Sequence, residues 1–132
     1  MKRSLSGRVA LIATVCTIVI SLIHIWYNSF GLIDVVKKNS FHLTLLMAVG
    51  FLYYPATSKS PRDRPSWLDW VLFFLSIGVG VYFLSVYDRL VAEVFRPVFP
   101  DYVYGVVFML LTAEASRRFV GLPITILSLF FL

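Results

Sequence analysis

Residues Val9–Tyr27 read VALIATVCTIVISLIHIWY, nineteen residues without a charge. As a helix rising 1.5 Å per residue the stretch is roughly 28 Å long, enough to cross the hydrocarbon core of a bilayer. A secretory signal has a shorter apolar core followed by a small-residue cleavage site. Here the run closes instead on His24-Ile25-Trp26-Tyr27, with aromatic side chains of the kind that sit at a membrane interface. The stretch predicts a retained transmembrane helix, so the rest of the chain has to be read in lipid.

Composition points the same way. Hydrophobic residues make up 59% of the 132 and charged residues 14%, where a soluble domain carries about 25% charged residues. The formal charge of +5 does not mark a nucleic-acid binder. The basic residues form no stripe interleaved with aromatics but cluster at the ends of apolar runs. Cys16 is the single cysteine. It excludes an intrachain disulfide, makes a Cys-based metal site unexpected, and reads as a small helix- or lipid-facing residue.

Upstream of the first run, Met1–Arg8 carries Lys2, Arg3 and Arg8. Downstream, Gly31 breaks Asn28–Ser40, where Leu32, Ile33, Val35 and Val36 alternate with Asp34, Lys37 and Lys38. That pattern suits either a short surface helix or the snorkelling start of the next span. Phe41–Tyr54 is only fourteen residues long before Pro55, and extension back to Val35 gives twenty, a second span. Ala56–Pro65, with Lys59, Arg62, Asp63, Arg64 and two prolines, is a loop. Ser66-Trp67-Leu68-Asp69 reads as a capping box, Ser66 as N-cap and Asp69 at the third helical position. Trp67–Tyr87 is a third span with aromatic ends, in which Ser76 and Gly80 form a small-xxx-small pair. Asp88–Asp101 predicts an interfacial helix stopped by Pro97 and Pro100, with Asp101 capping a fourth span, Tyr102–Val120. Gly121-Leu122-Pro123 punctuates, and the apolar Leu122–Leu132 reads as the start of a fifth helix on which the chain stops. The expected fold is an all-α integral membrane protein with four transmembrane helices, short interfacial helices and the start of a fifth. Residues 1–121 form the membrane domain and 122–132 lead toward a further apolar region.

Basic residues set the orientation. With the N-terminus inside, Lys2, Arg3, Arg8, Lys59, Arg62, Arg64, Arg117 and Arg118 face the cytoplasm, and Lys37, Lys38, Arg89 and Arg96 face outward. Eight against four favours a cytoplasmic N-terminus.

Leu110–Pro123 holds a charged cluster inside an apolar run. Glu114 lies three and four residues before Arg117 and Arg118, so one helix face carries all three, in the acid-then-base order that suits i,i+4 geometry. With the fourth span starting at Tyr102, Glu114 is its thirteenth residue, roughly 18 Å in. Such a charge marks either a relay or a structural pair. Two arginines beside it keep the carboxylate ionised, which suits a structural pair and disfavours a proton carrier. His24 and His42 lie in different segments, neither with a partner at i,i+3 or i,i+4, and read as interfacial polar residues rather than metal ligands. There is no Gly-x-Ser-x-Gly and no phosphate-cradling glycine loop. The residues therefore predict no catalytic, substrate-binding or metal site, and no enzyme.

Four segments, in order and spacing, carry a family resemblance: Ser40-Phe41-His42-Leu43 with Gly50-Phe51-Leu52-Tyr53-Tyr54-Pro55; Trp67-Leu68-Asp69-Trp70; Tyr87-Asp88-Arg89-Leu90; and Glu114-Ala115-Ser116-Arg117-Arg118-Phe119-Val120-Gly121. Together they resemble the N-terminal, small-subunit-like (Q-type) region of the fused membrane subunits of TRAP transporters, the TAXI-associated branch. The resemblance spans most of the chain after Phe41. It implies a scaffold in the bacterial inner membrane, within a tripartite secondary transporter. There a periplasmic binding protein delivers an organic anion and a large membrane region carries it inward, usually with sodium. The resemblance places substrate and sodium at that large partner region, and no cofactor in this chain. On this reading Lys37, Lys38, Arg89 and Arg96, on the outward connections, are possible contacts for the binding protein. Two alternatives stand beside it: the small four-span subunit of a tripartite tricarboxylate transporter, and a free-standing structural four-helix membrane protein. The large membrane protein that co-purifies separates the first two, and a stable homo-oligomer without one identifies the third.

Overall fold

A computed structural model describes residues 3–30, 34–57, 60–61, 63–93 and 96–130 of the chain, without the side chains of 128 and 129. The described residues form five helices and no strand: α1 Gly7–Phe30, α2 Val35–Tyr53, α3 Trp67–Ala92, α4 Phe99–Phe119 and α5 Leu122–Phe130. Two of them, α1 and α3, are long and apolar enough to cross a membrane.

The helix boundaries follow local chemistry. Asp34 caps α2, its carboxylate accepting from the backbone N–H of Val36 and Lys37. The lysines beside it are thus part of α2 itself, while residues 31–33 of that connection lie outside the described residues. Ser66 opens α3 as the N-cap of a capping box with Asp69, and both its backbone N–H and its hydroxyl donate to Asp69 Oδ2, each at 2.7 Å. The expected interfacial helix after Tyr87 is not a separate element. Its first turn continues α3 to Ala92, and residues 96–98 are non-helical before α4. Asp101 stands inside the first turn of α4, where Oδ2 accepts from Val98 N at 2.7 Å. Gly121, at φ +110°, supplies the left-handed turn between α4 and α5.

At the centre is α2, which packs against α1, α3 and α4. One apolar cluster joins α2, α3 and α4 through Met47, Phe51, Val79, Leu111 and Ala115. A second joins α1, α2 and α3 through Ala13, Ala48, Leu52 and Phe73. Helices α2 and α3 approach closely at Gly80, where a Cβ would lie 2.5 Å from Thr44 Oγ1. The small pair Ser76 and Gly80 is buried at this crossing. By contrast α1 buries Ala13 alone, and its outer side presents Leu11, Ile18, Leu22 and Trp26 with more than half of each exposed. Phe74 on α3 and Leu110 on α4 are similarly exposed, at 64% and 65%. Apolar surface on this scale on a single chain calls for an apolar surrounding or a partner.

Candidate functional site: a buried ion network

The helices end, on the side of the α2–α3 connection, in a layer of charges that sequence spacing showed only in part. Glu114 accepts from Arg117 Nε and Nη2 and from Arg118 Nε, all at 2.7 Å. The i,i+3 and i,i+4 spacing brings these three together. Because α4 begins at Phe99 rather than Tyr102, Glu114 is its sixteenth residue and lies near the end of the helix. It is level with the first turn of α3, not deep between the helix ends.

The centre of the layer is Asp69. Its Oδ1 accepts from Arg118 Nη1 at 2.7 Å, and its Oδ2 from Arg3 Nη2 at 2.6 Å. All three side chains are completely buried. The guanidinium groups also close the backbone around them. Arg3 donates to the carbonyls of Pro61 and Leu52, Arg118 to that of Tyr54, and Arg117 to that of Ala56. The Arg118 guanidinium further stacks over the Phe51 ring, 5.0 Å from its centroid. Five side chains thus join the N-terminal segment, the end of α2, the α2–α3 connection, the start of α3 and the end of α4.

Local sequence marks Asp69 only as a helix-capping residue and Arg3 only as one of the N-terminal bases. Their separation of 66 residues leaves no periodic signal.

A second set of polar contacts closes the opposite end. Arg89 Nη2 donates to both oxygens of Asp101 at 2.8 Å, and the Tyr82 hydroxyl donates to Asp101 Oδ1 at 2.6 Å. Lys37 pairs with Asp88 at 2.6 Å, and the Tyr87 hydroxyl donates to Asp34 Oδ1 at 2.6 Å. That hydroxyl is the main reason the Asp34 carboxyl is held below its ordinary value. Of the four bases at this end, Lys37 and Arg89 are therefore engaged in interhelical ion pairs. Lys38 donates to Asn28 Oδ1 at 3.1 Å, and Arg96 is exposed.

Two further features were not read from spacing. The rings of His24 on α1 and His42 on α2 stack with centroids 4.0 Å apart. An apolar cavity of about 320 Å³ lies among α2, α3 and α4, lined by Thr44, Val79, Phe83, Tyr104 and Phe108. Its charged lining residue, Asp101, is already taken by Arg89 and Tyr82. Among the described residues no three His, Cys, Asp or Glu side chains converge as metal ligands would. The chain matches no family model, no curated protein and no solved structure.

Proposed function

We propose that this chain is a four-span protein of the bacterial inner membrane, N-terminus in the cytoplasm, serving as the small non-catalytic scaffold of a TRAP-type transporter. The observation that carries the scaffold reading is the Asp69 network. Three fully buried charges cross-link the N-terminal segment to α3 and α4, and the Arg89–Asp101 and Lys37–Asp88 pairs tie the other ends. A transport element moves between two arrangements during its cycle. Breaking one partner from a buried pair costs about 3–5 kcal/mol, which argues against such movement here. The exposed apolar flanks of α1 and α4 support a lipid surrounding and a large membrane partner. At 19 and 21 residues, α2 and α4 reach roughly 28 and 31 Å, long enough to accompany α1 and α3 across a bilayer.

Organic-anion uptake, sodium coupling and a periplasmic binding protein come to the proposal from the sequence resemblance. The cavity is consistent with this division of labour, since its carboxylate is already neutralised and it offers an anion no unpaired cation. Proteoliposomes holding this chain alone, with a binding protein and a sodium gradient, should show no uptake, and addition of the large transport subunit should restore it. Uptake by the chain alone would end the scaffold reading. In a Cys16→Ser background, a cysteine at Arg96 should label from outside the cell and one at Arg64 should not. The reverse pattern would invert the orientation.

A further inference from the structure

The fold sorts the charges by end. Among the described residues, Arg3, Arg8, Arg64, Arg117 and Arg118 of the N-terminal segment, the α2–α3 connection and the end of α4 stand with three acids, Asp63, Asp69 and Glu114. The four bases of the opposite end stand with four acids, Asp34, Asp88, Glu93 and Asp101. The described residues thus carry an excess of two positive charges at one end and none at the other. Part of it is consumed internally, because Asp69 and Glu114 are saturated by Arg3, Arg117 and Arg118. Arg8 and Arg64 remain exposed. Hydrogen bonds bring their segments side by side: Ser6 N donates to the Asp63 carbonyl at 3.3 Å, and Arg3 Nε to that of Pro61 at 3.0 Å.

Apolar surface begins directly below this basic corner. Leu11 and Ile12 are exposed one turn into α1, and Trp67, 80% exposed, starts α3 three residues after Arg64. Phe74 continues the apolar flank of α3, stacked on Trp70. Both helices pack on α2, where Ala13 of α1 and Phe73 of α3 enter one buried cluster with Ala48 and Leu52. A cationic corner above apolar helix flanks, with an exposed indole at the boundary, matches one amphiphile: a phospholipid with a net negative headgroup.

We propose that the Arg8–Arg64 corner binds an anionic phospholipid, its phosphate diester against the two guanidinium groups and its acyl chains along α1 and α3. The site selects net charge, because a zwitterionic headgroup brings its own cation to a surface that already has an excess of them. Arginine suits the task, as its planar fork meets phosphate oxygens in pairs. The inference rests on the membrane reading of the chain but not on a role in transport.

The test uses the full chain purified in neutral detergent, with phosphatidylglycerol or phosphatidylcholine added at equal mole fraction. Thermal unfolding is followed by tryptophan fluorescence, and retained lipid is counted by native mass spectrometry. Phosphatidylglycerol should raise the apparent Tm by about 5 °C over phosphatidylcholine, with one retained lipid per chain. Arg8→Gln/Arg64→Gln should abolish both the Tm difference and the selective retention, leaving the Tm in phosphatidylcholine unchanged. Equal Tm in the two lipids, or the same preference in the double variant, would overturn the proposal. Inorganic phosphate that reproduced the whole shift would also overturn it, making the corner a soluble-anion site. Sedimentation of the chain with membranes whatever their headgroups tests the underlying membrane reading separately.

Discussion

Replacing Asp69 with Asn tests the network at its most constrained point. The substitution keeps the shape and removes the charge. The carboxylate accepts four hydrogen bonds, from Arg3, Arg118, Ser66 N and Ser66 Oγ, at 2.6–2.7 Å. An asparagine retains one carbonyl oxygen and turns an amide donor toward one of the two guanidinium groups. Removing one partner of a buried pair costs about 3–5 kcal/mol, most of it the penalty of the charge left behind. Arg118 keeps Glu114 and Arg3 keeps two carbonyls, so the lower part of that range applies, about 3 kcal/mol. Equilibrium unfolding in detergent micelles, followed through Trp67 and Trp70 beside the site, measures it. Lys37→Gln is the control, because its pair with Asp88 has the acid side chain 79% exposed and should contribute less than about 1 kcal/mol. In an Arg3→Met background Asp69→Asn should cost less, since one orphaned guanidinium is then gone. An Asp69→Asn loss as small as that of Lys37→Gln would refute the reasoning and mean that water replaces the carboxylate.

Further outcomes follow from the same geometry. Glu114→Gln should destabilise by about 1–2 kcal/mol, less than Asp69→Asn, because its side chain is 27% exposed and Arg118 retains Asp69; a variant that assembles normally yet loses ion coupling would instead indicate a relay. Gly80→Ala should cost about 1–3 kcal/mol by forcing Thr44 away. Gly78→Ala, with nothing within 4 Å of the new Cβ, should be neutral or stabilising in the same unfolding assay. Asp34, ordinarily near 3.8, is held lower by the Tyr87 hydroxyl and the α2 N–H groups, so its stabilising effect is full above that value and fades as pH falls through the lowered one. Tyr87→Phe should move the Asp34 titration upward in a carboxyl-resolved NMR experiment, and an unmoved titration would remove Tyr87 as the cause.

The sequence by itself determined what is local. Apolar runs, glycines, prolines and capping acids act over a few residues, so the helical class and the starts at Val35 and Trp67 were legible from them. The breaks at Pro55 and Gly121 were legible for the same reason. So was the Glu114–Arg117–Arg118 cluster, because three and four residues along a helix fix a shared face. Where two local signals competed, the tertiary structure decided. The charges after Tyr87 suggested a separate interfacial helix, yet α3 runs on to Ala92, where Arg89 can reach Asp101. Nothing local shows that Arg3 and Asp69 meet, that His24 stacks on His42, or that Lys37 and Arg89 pair with Asp88 and Asp101. Those pairings depend on which helix ends are packed side by side. Long-range packing brings charges separated by 49 to 66 residues to hydrogen-bond distance, and only there does Asp69 turn from a capping residue into the centre of the charged layer.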